Sequence, residues 1–294
     1  MAVRLYSGGF RRAPERPVNH SCLVKTIYNA SIHPLLLKPK AMAFDLDETI
    51  GSFSDLYIIW CKLHKEMQTQ STFNKLLDLY PEFLRIGILP ILEFLKTKIS
   101  GGQCLPIFIY TNNQCEDVSW VERIISYLEL RVSNNAETPD KLFARPICAF
   151  KINHVRVEPN RTTHEKTYKD FIRCSMLKRT DLCFIDDASH DKMKHKRVYY
   201  IQPPSYFHAL SRQEVIDRVM RSDLSKILCA LRLDLDIPER LPINKPLFEK
   251  REQEIANKIM YYMREYFFVS MRRRCVTKKT CRQIGRFSRK IRRI

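Results

Sequence analysis

Long apolar runs are what this sequence lacks. It contains no stretch of about 18 predominantly apolar residues, and its first residues include no apolar core of the kind found in signal peptides. A helix that spans a membrane and a secretory signal both need such a run. We therefore expect a soluble intracellular protein with no membrane partner, located in the nucleus or the cytoplasm.

Paired cysteines are missing as well. The chain has 10 cysteines, and none of them forms a Cys-x-x-Cys pair. Because zinc sites commonly use such pairs, and because disulfide frameworks belong to oxidising compartments, we expect neither of them here. Most of the cysteines are expected to be small core residues, as Cys183 within an apolar run illustrates.

Acidic residues are absent from the end of the chain. Residues 271–294 hold eleven Lys or Arg and no Asp or Glu, which is more than half of the net charge of +19. Such a segment repels itself and is not expected to fold alone. Such a segment is typical of nuclear-import signals and of segments that bind the backbone of RNA or DNA or an acidic protein. The alternative that assigns it no function is a solvated basic helix end. A polyanion partner or nuclear targeting is favoured, because no acidic residue relieves the charge.

Two carboxylates follow the first informative apolar run. Residues 41–44 suit a buried strand, and Asp45 and Asp47 come directly after it. Parallel sheets bind ligands beyond the carboxyl ends of their strands, so these two anions are expected at such an edge. They require a cation there, and Mg²⁺ prefers oxygen ligands and can bridge a carboxylate to a phosphate. The spacing alone is weak evidence, since Asp234 and Asp236 repeat it.

Two further apolar runs end in suitable polar groups. One ends in Thr111 and Asn112, whose hydroxyl and amide can hold phosphate oxygens. The other ends in Asp186 and Asp187, which can complete the oxygen shell of a metal ion. Three runs that each end in an appropriate group predict a phosphate site at one edge of the sheet.

A lysine is expected to complete this site. Lys166 opens a predicted helix over residues 165–175 and can place a positive charge on the phosphate. Lys169, one helical turn further on, is the alternative. Lys166 is favoured because it lies nearer the start of the helix, at the expected mouth of the site.

These motifs resemble those of the haloacid-dehalogenase superfamily of phosphohydrolases over roughly residues 40–205. Residues 44–49 are similar to its first motif, Thr111 to its second, Lys166 to its third, and Asp186 with Asp187 to its fourth. Asp-Leu-Asp-Glu-Thr resembles the branch that dephosphorylates the carboxy-terminal domain of RNA polymerase II, which includes the NLI-interacting-factor-like phosphatases. The other motifs are similar to divergent members encoded by large DNA viruses, and for such a member the compartment would be that of the host cell.

The resemblance implies a Mg²⁺-dependent phosphoric monoester hydrolase with an aspartyl-phosphate intermediate. It assigns these roles by position: Asp45 as nucleophile, Asp47 as proton carrier, Thr111, Asn112 and Lys166 as phosphate ligands, Asp45, Asp186 and the backbone carbonyl of Asp47 as metal ligands, and Thr49 and Asp187 as supporting residues. All four motifs would then serve one phosphoryl transfer.

The substrate is less well defined by the resemblance. A phosphoprotein is the leading interpretation, with the polymerase carboxy-terminal domain as the implied partner of a protein serine/threonine phosphatase. Cellular enzymes of that branch have Thr, a small residue and Ser in motif two and Asp-Asn in motif four, whereas this chain has Thr-Asn-Asn and Asp-Asp. End-healing polynucleotide phosphatases also show Thr-Asn, which makes them the alternative. A small-metabolite phosphatase comes next, and the intact motifs disfavour a non-catalytic binding module.

The expected fold class is α/β: a doubly wound, mainly parallel Rossmann-like sheet of the haloacid-dehalogenase type, with a helical insertion and C-terminal helices. Strands are predicted near residues 41–46, 106–110, 146–150, 182–186 and 198–201. The expected divisions are a disordered leader over 1–20, a phosphatase domain over 21–210 with an inserted helical segment over 54–98, a helical extension over 211–270 and a basic tail over 271–294.

Apolar residues at helical spacing support the prediction of the inserted and the C-terminal helices. Apolar residues recur at three and four positions across 54–98, where Tyr57 and Trp60 are weak candidates for substrate contact and core packing is their alternative role. Ser211 begins a capping-box signature for a helix that can extend to Leu228. A long helix after residue 246 carries an apolar stripe expected to pack on the catalytic domain: Ile255, Ile259, Tyr262, Met263, Tyr266 and Phe267. His190 and His195 are expected to be solvated loop residues.

Overall fold

The computed structural model describes residues 25–28, 40–113, 120–133, 141–178, 180–229 and 235–275. The predicted leader lies outside the described residues, as do Asp234 and residues 276–294 of the basic segment.

Among the residues that the structure describes, five strands form the main sheet. They are β1 (Lys25–Tyr28), β2 (Ala41–Phe44), β3 (Phe108–Ile109), β6 (Leu182–Ile185) and β7 (Val198–Gln202). Two short strands, β4 (Lys151–Ile152) and β5 (Val155–Arg156), form a separate hairpin. The order across the sheet is β1-β7-β6-β2-β3. The last four strands run parallel, whereas β1 pairs antiparallel with β7 at one edge. Phe44 lies opposite both Ile109 and Ile185, so the carboxyl ends of these three strands are level.

Apolar side chains cover both faces of this sheet. Met42, Phe44 and Ile185 belong to one buried cluster, whereas Ala43 and Phe184 belong to the other. This division follows from the alternation of side chains along a strand. Seven helices are present among the described residues: α1 (Ser54–Cys61), α2 (Gln70–Leu79), α3 (Ile88–Ser100), α4 (Trp120–Val132), α5 (Tyr168–Ser175), α6 (Arg212–Arg221) and α7 (Lys245–Cys275). The arrangement is α/β, with a four-stranded parallel sheet, and is compatible with a Rossmann-like fold.

The segment over residues 54–98 is helical, as its apolar spacing predicts. It contains α1, α2 and most of α3, and it forms no strand. The hydroxyl of Thr69 caps α2 by accepting a hydrogen bond from the backbone N–H of Thr72 at 3.2 Å. Trp60 is buried and packs edge-on against Phe73, with 5.4 Å between ring centroids. Core packing is therefore the role of Trp60, while Tyr57 remains 42% exposed.

The C-terminal helices also follow their predicted signals. The capping box formed by Ser211 and Glu214 is present at the start of α6. That helix ends at Arg221, before the predicted limit, because the hydroxyl of Ser222 accepts the N–H of Leu224 and begins a separate 3-10 turn. In α7 the residues of the apolar stripe lie in the main core, with Tyr262 partly buried beside it. The helix continues to Cys275, so the first residues of the basic segment are helical.

Several predicted boundaries were wrong. No strand forms over 146–150; one isolated parallel bridge, between Tyr110 and Ile147, joins that segment to the chain beside β3. Strand β1 was not predicted from the sequence, and α5 begins at Tyr168 rather than at residue 165. Cys148 is disulfide-bonded, contrary to the expectation for the cysteines. Among the described residues, none of the helices is both long and apolar enough to cross a membrane.

Candidate active site

The loop after β2 carries the acid pair in a tight turn. The backbone N–H of Asp45 still donates to the carbonyl of Ile185 at 2.9 Å, which continues the pairing of β2 with β6. Glu48 has a left-handed backbone with a φ of 55°, and its N–H donates to the carbonyl of Gly51 at 2.8 Å. A side chain at Gly51 would lie 2.5 Å from the carbonyl oxygen of Phe83, so glycine is required there. The turn thus places Asp45 and Asp47 at the carboxyl edge of the sheet.

Lys166 contacts one acidic residue that follows β2 and one that follows β6. Its Nζ donates to the carboxylate of Asp45 and, at 2.7 Å, to Oδ2 of Asp186. The side chain is only 3% exposed, whereas Lys169 is exposed on the surface. Lys166 precedes Thr167, the N-cap of α5, and is not part of the helix. Of the two candidate lysines, the structure therefore brings Lys166 to the acid cluster.

Asp186 is held by two further groups. Its Oδ1 accepts the backbone N–H of Ala188 at 2.8 Å, and its Oδ2 lies 3.3 Å from Nε2 of His190. His190 is 14% exposed, so the expectation that it is a solvated loop residue was wrong. His195 was also misjudged, because its ring stacks on Tyr168 with 4.2 Å between centroids.

Two hydroxyls fix the carboxylate of Asp187. Oγ1 of Thr49 donates to Oδ1 at 2.9 Å, and Oγ of Ser205 donates to Oδ2 at 2.6 Å. Thr49 also accepts the backbone N–H of Asp187 at 3.1 Å. Thr49 is buried, and its contact with Asp187 suits the supporting role expected for Thr49. Ser205 was not identified from the sequence, because it follows no motif and reaches the site only through the path of the chain after β7.

Three carboxylates are close enough to hold one cation. Asp45, Asp186 and Asp187 can each offer an oxygen such that all three atoms lie within 4.8 Å of one another. Carboxylate oxygens are hard ligands of the kind that Mg²⁺ prefers, so this donor set fits the expected ion. Compared with the ligand set implied by the resemblance, the cluster adds the carboxylate of Asp187.

The loop after β3 supplies polar groups to the same edge. Thr111 is buried, and its hydroxyl accepts the backbone N–H of Asn113 at 3.1 Å. Nδ2 of Asn113 donates to Oδ2 of Asp47 at 2.5 Å. The side chain of Asn112 instead accepts a hydrogen bond from Arg161 at 2.8 Å. Asn113, which was not among the predicted site residues, is thus the amide that contacts the acid pair.

Arg161 holds the backbone of the loop after β3. It is fully buried, and its Nη1 donates to the carbonyls of Thr111 at 2.8 Å and Cys148 at 2.7 Å. Its guanidinium lies 4.9 Å from the ring centroid of Tyr110. The sequence marks this arginine only as one basic residue among many, so its role depends on the tertiary structure.

Burial and neighbouring charges shift the pKa values of the three acids in different directions. Burial raises the pKa of Asp45 to about 7 despite the nearby charge of Lys166, and it raises the pKa of Asp47 despite the hydrogen bond from Asn113. For Asp186, burial alone would raise the pKa, but the hydrogen bond from His190 and the charge of Lys166 outweigh it and lower the pKa. The site therefore combines an ionised Asp186 with Asp45, whose pKa lies near neutral pH, and with Asp47, whose pKa is raised by burial.

Comparison with protein-family models, with curated protein sequences and with solved structures finds no match to this chain.

Proposed function

We propose that this chain is a Mg²⁺-dependent phosphohydrolase of the doubly wound haloacid-dehalogenase type, acting through an aspartyl-phosphate. The observation that carries the proposal is the position of Lys166, whose Nζ lies between the carboxylates of Asp45 and Asp186. That ammonium lies at the edge of the sheet to which the acid pair and the loop of Thr111 also belong. Clustered acids with one buried cation suit a dianionic substrate group and a divalent metal.

Each residue then has a defined chemical task. A carboxylate oxygen of Asp45 attacks phosphorus, and the bond from phosphorus to the leaving oxygen breaks while Asp47 donates a proton to that oxygen. Asp47 next takes a proton from a water molecule that attacks the aspartyl-phosphate, which releases phosphate and restores Asp45. Thr111 and Lys166 bind the phosphate oxygens.

The acid cluster would hold the metal ion. Asp45, Asp186 and Asp187 supply its carboxylate ligands, and bound Mg²⁺ would supply positive charge that stabilises the phosphate oxygens. Thr49 and Ser205 keep the carboxylate of Asp187 oriented toward the cluster.

Phosphoserine or phosphothreonine in a protein is the proposed substrate, on the strength of the resemblance of the first motif. One structural observation favours a polynucleotide instead. The hairpin β4–β5 exposes Lys151 and Arg156, and its base is tied to the site because Arg156 donates to the carbonyl of Arg161, which in turn binds Asn112. Basic groups beside a phosphate site suit a substrate with flanking phosphates.

A substrate panel with a nucleophile variant tests these proposals. Phosphopeptides, 3′-phosphorylated oligonucleotides, sugar phosphates and p-nitrophenyl phosphate are assayed with Mg²⁺ and with a chelator. The wild-type protein is expected to require Mg²⁺, and Asp45→Asn is expected to abolish turnover. Asp181→Asn, at the opposite end of β6, is the control that should retain it.

Detection of the intermediate tests the covalent step directly. Mass spectrometry after a rapid acid quench should find a phosphate adduct on the Asp45 peptide of the wild-type protein and none in Asp45→Asn. Substantial aryl phosphatase activity in folded Asp45→Asn would rule out this mechanism.

A further inference from the structure

Arg85 is a buried cation in the turn before α3. It is 1% exposed, and three of its hydrogen bonds go to backbone carbonyls: Thr49 at 2.6 Å, Glu48 at 2.5 Å and Pro204 at 2.8 Å. Its Nη1 also lies 3.3 Å from a carboxylate oxygen of Glu252 on α7. One guanidinium thus connects the loop after β2, the segment after β7 and the C-terminal helix.

The two backbone segments that Arg85 holds are those that orient Asp187. Thr49 donates its hydroxyl to one oxygen of Asp187, and its own carbonyl accepts from Arg85. Ser205 donates to the other oxygen of Asp187, and it directly follows Pro204, whose carbonyl also accepts from Arg85. Both hydroxyls that bind Asp187 therefore depend on the same guanidinium for their position.

The backbone at Glu48 strengthens this dependence. Its left-handed conformation, with a φ of 55°, is unfavourable for a residue with a side chain. Its carbonyl accepts from Arg85 and also from the N–H of Tyr206 at 2.8 Å, so the peptide is held from both segments. The ring of Tyr206 lies 5.1 Å from the guanidinium. Loss of Arg85 would remove the donor shared by these carbonyls.

We propose that Arg85 is a positioning residue that sets the orientation of Asp187 for cation binding, and that Glu252 couples α7 to this task. The proposal rests on the proposed function only in taking the acid cluster as the metal site. It predicts that a helix far along the sequence tunes the affinity of the cluster, although none of the described side chains of that helix belongs to it.

Mg²⁺ binding measured by calorimetry tests the proposal without any substrate. Arg85→Lys keeps the charge but lacks the planar fork that serves three carbonyls, so its dissociation constant for Mg²⁺ should rise about 10-fold to 100-fold, as for other groups that orient metal ligands. Glu252→Gln should give a smaller rise, because an amide still accepts a hydrogen bond from Arg85. Arg240→Lys is the matched control: Arg240 makes a bidentate pair with buried Asp55, and its loss should leave the Mg²⁺ affinity unchanged.

A double-mutant cycle separates positioning from general loosening. In a Thr49→Val, Ser205→Ala background the route from Arg85 to Asp187 is already broken, so Arg85→Lys should cause little further loss of Mg²⁺ affinity. A further loss as large as in the wild-type background would overturn the proposal. If Arg85→Lys does not fold, the same cycle is run with Glu252→Gln, which removes no donor.

The two proposals fail in different ways. Mg²⁺ binding with the expected pattern of variants, but no hydrolysis of any phosphate ester, would reject the phosphatase and retain the role of Arg85. Hydrolysis with Mg²⁺ affinities equal in the wild-type protein, Arg85→Lys and Glu252→Gln would reject the role of Arg85 and retain the phosphatase.

Discussion

At the scale of single residues, the positive charge of Lys166 lies close to several carboxylates. Its Nζ contacts Asp45 and Asp186, while Asp47 and Asp187 belong to the same edge of the sheet. A buried ammonium with two carboxylate partners stabilises negative charge far more than a solvated lysine does. The neighbouring Lys169 is exposed and provides an internal comparison.

Replacement of each lysine by methionine is expected to give very different results. Lys166→Met should lower kcat for an aryl phosphate by about 10²–10³-fold, the range typical for loss of one donor to a transition-state oxygen. Lys169→Met should leave kcat within twofold of the wild-type value, because its side chain is solvated. Steady-state kinetics on both folded variants makes the measurement, and equal losses would contradict a special role of the Lys166 ammonium.

Proton binding at Asp45 predicts a pH-dependent effect of the metal. With its pKa raised to about 7 by burial, Asp45 contributes stability below its unfolded value of 3.8 and loses that contribution as the pH rises through about 7. A cation needs the ionised form, so one displaced proton should weaken Mg²⁺ binding about tenfold per pH unit below 7. The gain in Tm on adding Mg²⁺ should therefore be larger at pH 8 than at pH 5.5.

The Asp45→Asn variant is the control for this titration. It has no carboxylate at that position, so its response to Mg²⁺ should be weak and should vary less between the two pH values. A gain in Tm that is larger at pH 5.5 than at pH 8 in the wild-type protein would contradict the predicted order.

The sequence predicts residues that directly follow an apolar run and misses residues that arrive from elsewhere. Asp45, Thr111 and Asp186 each lie within two residues of the end of a strand, and the level ends of parallel strands bring them together. Asn113 and Ser205 could not be chosen, because polar residues in loops are common and their contacts depend on the path of the chain. Arg85 was missed because nothing local distinguishes a buried arginine from a solvated one.

At the scale of elements, helical signals were more informative than strand signals. The helical character of 54–98 was expected because repeated apolar spacing marks a helix over several turns, whereas the number of helices was not predicted. The short strand β1 was not predicted, and the strand predicted over 146–150 does not form, since pairing with a neighbouring strand is decided by residues distant in sequence. The capping box predicted the start of α6 correctly, but a 3-10 turn at Ser222 ended that helix early.

The contact between α3 and α7 gives a prediction at this scale. Gly87 has a φ of 81°, and a Cβ added there would lie 2.5 Å from Cβ of Ala256. Gly102 also has a positive φ, of 65°, but a Cβ there would have no neighbour within 4 Å. Both Gly→Ala variants incur backbone strain of about 1–2 kcal/mol, and only Gly87→Ala also forces α7 away. Gly87→Ala should thus be the more destabilised in urea denaturation, and equal losses would refute the close contact.

At the scale of the whole molecule, α7 makes contacts near both ends of the parallel strands. Near its start, Glu252 pairs with Arg85 beside the acid cluster. Further along, the hydroxyl of Tyr266 donates to the carbonyl of Asp181 at 2.8 Å, directly before the first residue of β6. The helix therefore runs from the carboxyl ends of the strands to their amino ends, and the basic segment begins on the side away from the site.

Removal of the basic segment is expected to separate binding from catalysis. Truncation after Ser270 keeps the buried Tyr266 and Phe267, so hydrolysis of p-nitrophenyl phosphate should change little. Affinity for single-stranded nucleic acid should fall, and the slope of log K against log salt should become shallower by about 0.7 for each phosphate that the protein no longer neutralises. Affinity measured at two salt concentrations, beside the aryl phosphatase rate, tests both statements. Unchanged affinity would leave the segment without this role, and a collapsed rate would mean that it packs on the catalytic residues.

The length of α7 sets a minimum length for a ligand that contacts both the acid cluster and residues 271–275 at the end of the helix. From Glu252 to Cys275 the helix rises about 35 Å, at 1.5 Å per residue. A phosphate ester shorter than this cannot occupy the acid cluster and at the same time lie beside residues 271–275, the part of the basic segment that the structure describes. A longer phosphorylated chain, once anchored by the basic segment, would be tethered to the protein, and its phosphate would reach the cluster at a raised effective concentration. Turnover at low substrate concentration should then increase abruptly at a threshold chain length, which a nested series of substrates would locate.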